Sequence, residues 1–206
     1  VTANLLCFVG MGSVLFLLPF YLRYVQGLNP IEVGSVFIPA AVTMSIISPI
    51  SGRLSDRFGN NFFTTGGLIS CAIGLSILST LDENSPTWLP YIGVIPASAG
   101  MGAFYGPNNS ATLSQSNEQN QSAVIGFINL VRNSGNLISI PISVVLVTAI
   151  MGSMGFRPDL SLVTHNSDPD LLKSFIKGMS TSFLVLAATT ILGAVISLYR
   201  PKSLTE

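Results

Sequence analysis

The chain has 206 residues and zero formal net charge; 49% of its residues are hydrophobic, only 9% are charged, and the mean hydropathy is +0.62. Soluble domains carry roughly 25% charged residues, so there are too few charges here to cover a water-exposed surface, and a soluble globular fold is excluded. Neutrality without a basic run also argues against nucleic-acid binding and against polybasic lipid recruitment.

The apolar residues fall in runs of about 20, the length that crosses a hydrocarbon core of about 30 Å. The first run, about 3–25, holds Asn4, Cys7 and Pro19 and is closed by Gln26-Gly27-Leu28-Asn29-Pro30, where Gly and Pro break a helix. A second run of about 32–50 leads into Ser51-Gly52-Arg53-Leu54-Ser55-Asp56-Arg57-Phe58-Gly59-Asn60-Asn61, the densest charge cluster beside any span, and a third covers about 62–81. Asp82-Glu83-Asn84-Ser85-Pro86 separates it from a fourth of about 88–113. A wholly polar stretch, 114–122, precedes a fifth run of about 123–151. The longest polar segment, 152–178, follows; within it Leu171-Leu172-Lys173-Ser174-Phe175-Ile176-Lys177 reads as an interfacial amphipathic turn. A sixth run of about 179–199 ends at Arg200-Pro201-Lys202.

Continuously apolar runs predict helices, since barrel strands would be about ten residues long and alternate in polarity. Prolines within spans, such as Pro19, Pro39, Pro96, Pro107 and Pro141, are compatible with this, because neighbouring helices re-satisfy the freed backbone groups. Cys7 and Cys71 read as small packing residues. With Val1 close to the first apolar run and no signal-peptide pattern, the chain is expected to be one portion of a longer protein. Basic residues divide evenly between the two sides, and the shortness of the Arg53/Arg57 loop favours placing it in the cytoplasm.

Three groups of residues stand out. In the short second loop, Gly52 and Gly59 permit tight turns and close helix approach, and Asp56 lies between Arg53 and Arg57. The three charges fit either a latch that holds one conformation and releases in another, or two anchoring arginines with a capping aspartate. In the fifth span, Asn129, Arg132, Asn133 and Asn136 recur at i, i+3, i+4 and i+7, forming one polar stripe. A charge at membrane depth normally faces protein or a water-filled cavity; the competing role is an arginine that snorkels to headgroups while the amides join helices. In the fourth span, Gly102 and Gly106 have the four-residue spacing of close helix packing, and Pro107 with Asn108 and Asn109 either bends the helix or ends it. Pro19 marks a bend in the first span, and Asn4 is its lone amide.

The segment Gly-Arg-Leu-Ser-Asp-Arg-Phe-Gly from Gly52 to Gly59 resembles the loop signature of the major facilitator superfamily, which joins the second and third helices of a six-helix half. Leu15-Phe16-Leu17-Leu18-Pro19-Phe20-Tyr21-Leu22 with the following Gln26-Gly27-Leu28-Asn29-Pro30, and 126–135 with its Asn129 and Arg132, are similar to the last six helices of the fourteen-helix drug:proton antiporters. The resemblance covers about 3–200. It implies an all-α polytopic membrane protein whose six transmembrane helices form one bundle of a two-bundle fold. The bundles would rock about a shared midplane cavity, with a further six to eight helices on the N-terminal side. It implies efflux of small amphipathic organic compounds by proton antiport across the cell membrane. The sequence departs from the pattern at Asn60-Asn61, where basic residues usually follow the second glycine, and at Arg23, where Gln is commoner; the first departure weakens a charge latch.

No Asp or Glu falls in the middle of a predicted span, so proton coupling calls for a carboxylate in the missing portion. With no G-x-x-x-x-G-K-[ST] loop, no catalytic triad and no metal-ligand cluster, neither an ATP site, a cofactor, a metal nor an enzymatic activity is expected. His165, between Thr164 and Asn166, reads as a solvated loop residue. A carrier for a sugar, organic acid or metabolite and a non-transporting membrane scaffold are the alternatives.

Overall fold

The computed structural model describes residues 2–113, 116, 120–164 and 167–198, and for Asp56 and Ala111 the backbone alone. The calls on His165, Arg200 and Lys202 lie outside the described residues. The regular elements in the described part are all helical.

Helices α1 (Thr2–Gly12) and α2 (Val14–Phe20) run end to end through a break at Ser13. Just after Pro19 the chain forms a π-helical turn, Tyr21–Val25, in which the Gln26 N–H donates to the Tyr21 carbonyl five residues back at 3.2 Å. Gly27, at φ 70°, then turns the chain. Asn29 starts α3 (Pro30–Phe58) with a capping box: its side chain accepts from the Ile31 and Glu32 N–H groups at 3.0 Å, and the Asn29 N–H donates to Glu32 at 2.8 Å. Pro30, with its fixed φ and no N–H to lose, occupies the first turn.

α3 does not stop near Ile50. It continues to Phe58, so Gly52, Arg53, Asp56 and Arg57 lie on its last two turns, and the only turn residue before α4 (Asn60–Leu78) is Gly59, at φ 90°. Leu54 and Phe58 keep the segment's helical register, and Gly59 alone has the φ that stops it. Gly59 is also the N-cap residue of α4, and it brings no side chain of its own to that helix end. α5 (Leu89–Leu113) runs through Pro96 and Pro107, so Pro107 does not end the span. α6 spans Gln121–Ser153 through Pro141.

α7 begins at Pro169, ten residues before the apolar run suggested, and runs to Leu198. The Asp168 side chain accepts from the Asp170 N–H at 3.0 Å, and Pro169 sits at the first helical position, a local start signal. The segment read as an interfacial turn is thus the first part of this helix, with Ser174, Phe175 and Ile176 buried. Five helical segments, Thr2–Val25, Pro30–Ser55, Asn60–Leu78, Gln121–Ser153 and Pro169–Leu198, are long and apolar enough to cross a membrane. α5 is of similar length but is interrupted by two prolines and a run of small and polar residues, and it is packed between α3 and α4.

Packing divides the helices into two sets of three: α3 and α4 lie against α5, α1 and α6 lie against α7 and each other, and the two sets join mainly where α4 packs on α7. The tightest backbone-to-backbone approach is between α4 and α5. A Cβ on Gly67 would lie 2.6 Å from the Gly100 carbonyl oxygen, and one on Gly74 would lie 2.5 Å from the Ala97 nitrogen and 2.6 Å from the Gly93 carbonyl oxygen. Gly102 and Gly106 face α3 more loosely, a Cβ there meeting Met44 and Ser48 carbonyl oxygens at 3.3 and 3.4 Å. The closest seam therefore rests on two glycine pairs spaced seven apart, Gly67/Gly74 and Gly93/Gly100, which bring one face of each helix into register at nearly two full turns.

Candidate functional site

α1, α5 and α6 converge at the end of the bundle that holds Arg53 and Arg57. Arg132 lies eleven residues into α6, about 16 Å along its axis at 1.5 Å per residue. At the centre of a span a guanidinium costs roughly 2.5–3.5 kcal/mol on insertion scales, and the cost falls toward the headgroups. Its side chain turns onto α5 instead of running along its own helix: Nη1 donates to the Tyr105 hydroxyl at 3.0 Å, and Cζ stands 5.6 Å from the centre of the Tyr105 ring. The ring is steadied by Phe8 of α1, edge-on at 6.2 Å. Asn4, one turn before Phe8, is 2% exposed and its Oδ1 has no hydrogen-bond partner. It lines a narrow void of about 10 Å³ with Asn108, Thr112, Phe127, Ile128 and Val131, close to the room one water needs.

Only part of the sequence-derived stripe joins this site. Arg132 contacts α5, Asn129 and Asn136 are half-buried, and Asn133 is exposed. At 100° per residue the four positions share an arc of about 100°, with Arg132 and Asn133 at its two edges, and Asn136 packs against Gly12 of α1. Tyr105 and Phe8 were missed, because inside apolar runs an aromatic reads as core; the signal available was the position of Tyr105 beside Gly106-Pro107-Asn108-Asn109. Pro107 and Asn108 are buried, and the Asn109 Oδ1 is buried without a partner. Gly102 and Gly106 serve the α3 contact, where the Ser51 hydroxyl also donates to the Gly102 carbonyl at 3.1 Å. Arg53 and Arg57 are exposed, four residues apart on α3, while the side chain of Asp56 lies outside the described residues.

A second polar group sits midway along α1 and α6. Ser13, at the break between α1 and α2, and Ser139 and Ser143, flanking Pro141, are fully buried. Their hydroxyls are 2.5 Å apart in both the Ser13–Ser139 and Ser143–Ser13 pairs, and Ser139 also donates to the Val9 carbonyl at 2.5 Å. At the opposite end of the bundle the Tyr21 hydroxyl donates to the Asp82 carbonyl at 2.7 Å, and the Gln26 side chain donates to the Ser85 carbonyl at 3.0 Å. These bonds tie the first rod to the α4–α5 connection. Among the described residues no group of three or more His, Cys, Asp or Glu converges in a way that holds a metal, and Cys7 and Cys71 are buried free thiols.

The family model of the Major Facilitator Superfamily matches residues 1–140, which takes in α1 to α5, the Gly59 turn and Arg132. The chain belongs to the Major Facilitator Superfamily. Its described helices make it an all-α integral membrane member of that superfamily. It is similar to the riboflavin transporter RibZ of Clostridioides difficile, 28% identical over 94% of this chain and 40% of the relative. It is also similar to the lincomycin resistance protein LmrB of Bacillus subtilis, 22% identical over 92% of this chain and 39% of the relative. A shorter stretch, 39% of this chain and 15% of the relative, is 35% identical to the tetracenomycin C resistance and export protein of Streptomyces glaucescens. The chain spans about two fifths of the length of the first two of these relatives.

Proposed function

We propose that the full-length protein is a carrier, not an enzyme, that exports small amphipathic organic compounds across the cell membrane in exchange for protons. This chain would be one of its two helix bundles, and the remaining six to eight helices would precede it. The carrying observation is the openness of the two outer helices. On α3, Ile38, Val42, Ile46, Ile50 and Leu54 form an exposed apolar ridge at four-residue steps, and on α6 Leu130, Leu137, Ile138 and Val145 are exposed. The polar groups Asn4 of α1, Tyr105 of α5 and Arg132 of α6 itself come together where these three helices meet. Docking the missing helices on the ridges would enclose that polar surface as a cavity shared by two bundles, the geometry of alternating access. The resistance and export functions in the names of two relatives support the choice of drug-like cargo.

In this reading the end holding Arg53 and Arg57 faces the cytoplasm, and those two arginines with Asp56 bias one conformation of the carrier. The coupling carboxylate resides in the preceding helices, because the described acidic residues lie at helix ends or in connections: Glu32 and Asp170 in the first turns of α3 and α7, Asp56 near the end of α3, and Asp82, Glu83, Asp159 and Asp168 between helices. The test is uptake of a fluorescent amphiphile into everted membrane vesicles carrying the full-length protein. Accumulation that requires an imposed pH gradient and is lowered by Asp56→Asn at unchanged protein level is expected; accumulation indifferent to an uncoupler would overturn proton exchange. A second reading takes a flavin-like heteroaromatic as the cargo, favoured by the riboflavin transporter matching nearly the whole chain. Competition between labelled riboflavin and lincomycin in the same vesicles separates the two.

A further inference from the structure

We infer that Arg132 and Tyr105 form a subsite for an oxyanion carried on a flat apolar body, so that the carrier's cargo includes organic anions. The inference rests on the carrier reading above and names the chemistry of its cargo. Arginine stays protonated under all ordinary conditions and presents five N–H donors in a planar fork. Arg132 lies well inside α6, yet the described residues give it one hydrogen bond, to the Tyr105 hydroxyl, and no carboxylate within 4.0 Å. The one ion pair among the described residues, Lys173 with Asp170, is exposed near the start of α7, at the opposite end of the bundle. A guanidinium held off its own helix and left with most of its fork unused is set to take a bidentate oxyanion.

The surroundings fit the rest of such a molecule. The Tyr105 ring lies beneath the guanidinium and is braced at its edge by Phe8, which supplies a rigid aromatic wall next to the charge. Phe127, Ile128 and Val131 of α6 extend that wall toward the small void, where the unpaired Asn4 Oδ1 offers an acceptor one turn of α1 from Phe8. A snorkelling arginine would direct its side chain along α6 to the headgroups. This one crosses to α5, because the phenol and its ring attract it there.

The experiment uses the purified full-length protein and two dyes built on one xanthene body, anionic fluorescein and cationic rhodamine 6G, with binding read by fluorescence anisotropy. Arg132→Ala and Arg132→Gln are expected to weaken fluorescein binding roughly tenfold or more while rhodamine 6G binding stays within twofold. Arg132→Lys, which keeps a point charge without the fork, is expected to fall between them, and Tyr105→Phe to weaken fluorescein a few-fold. Fluorescein affinity unchanged by all three arginine variants overturns the inference, as does a wild-type protein that does not bind fluorescein. An equal loss of both dyes also overturns it, since that marks Arg132 as the structural partner of a carboxylate elsewhere in the chain. Binding that depends on Arg132 without movement of either dye across vesicles leaves the subsite standing and sinks the carrier reading. Movement of both dyes with no dependence on Arg132 does the reverse.

Discussion

Between α4 and α5 the closest contacts are backbone against backbone at Gly67, Gly74 and Gly100, whereas between α1 and α6 three buried hydroxyls, Ser13, Ser139 and Ser143, face one another. A glycine contact is fixed by shape: nothing can slide without opening a void or forcing a clash. A hydroxyl cluster is fixed by partners, and each hydroxyl can rotate to a new acceptor. The hydroxyls also sit where the helices are already irregular, at the Ser13 break and beside Pro141. The α1–α6 contact also holds two glycines, Gly12 and Gly135, but a Cβ on them would meet the Asn136 and Leu5 carbonyl oxygens only at 3.1 and 3.2 Å, a looser backbone approach than the α4–α5 seam.

Gly74→Leu should break this contrast most severely. Its side chain would be driven into the Ala97 and Gly93 backbone, and the cost should exceed the ~1–3 kcal/mol of ordinary overpacking; a thermal melt of the full-length protein in detergent is expected to show loss of the folded state. Gly66, one residue before the seam glycine Gly67, has open space where its Cβ would be, so Gly66→Ala should leave the melt unchanged. Ser139→Ala tests the hydroxyl set. It removes the donor to the Val9 carbonyl and the partner of Ser13, and should lower stability by about 1–3 kcal/mol without unfolding the bundle. A melt as damaged as that of Gly74→Leu would mean that the α1–α6 contact is as rigid as the glycine seam.

The smallest effect is expected in the connection between α6 and α7. There the Ser161 side chain and N–H, the latter at 2.9 Å, hold the Asp159 carboxyl below its usual range, and that carboxylate caps the short turn Leu160–Leu162. Because the folded value is the depressed one, the cap is fully present above the ordinary Asp value of about 3.9 and is lost only as pH falls through the lower folded value. Amide exchange at Ser161, corrected for intrinsic rate, should stay constant above that pH and accelerate below it; acceleration near neutrality would show that the carboxylate is not what holds the turn.

Length and hydropathy were enough to read an all-α membrane bundle, and the segment from Gly52 to Gly59 was enough to read the family. The loop itself was misread, because two arginines and an aspartate look like a solvated connection, and only backbone geometry shows that Gly59 is the sole residue between helices. The start of α7 was missed for a related reason: Asp168-Pro169 is a helix start written in capping chemistry, and hydropathy does not register it. Arg132 was legible as an anomaly, a charge inside an apolar run. Its partner was not, since the pairing of Arg132 with Tyr105 joins residues 27 apart in sequence through the packing of α1, α5 and α6.

The single-residue turn at Gly59 also sets a phase. With no slack between α3 and α4, the angle at which α4 leaves the turn decides which of its faces meets α5. One inserted residue would rotate everything downstream by about 100° and shift it by about 1.5 Å, carrying Gly67 and Gly74 off the seam and presenting side chains in their place. Epitope tags, protease sites and circular permutants are thus barred from this turn, while the longer connection after Ser153, where Met154, Gly155, Arg157 and Pro158 are exposed, has room for them.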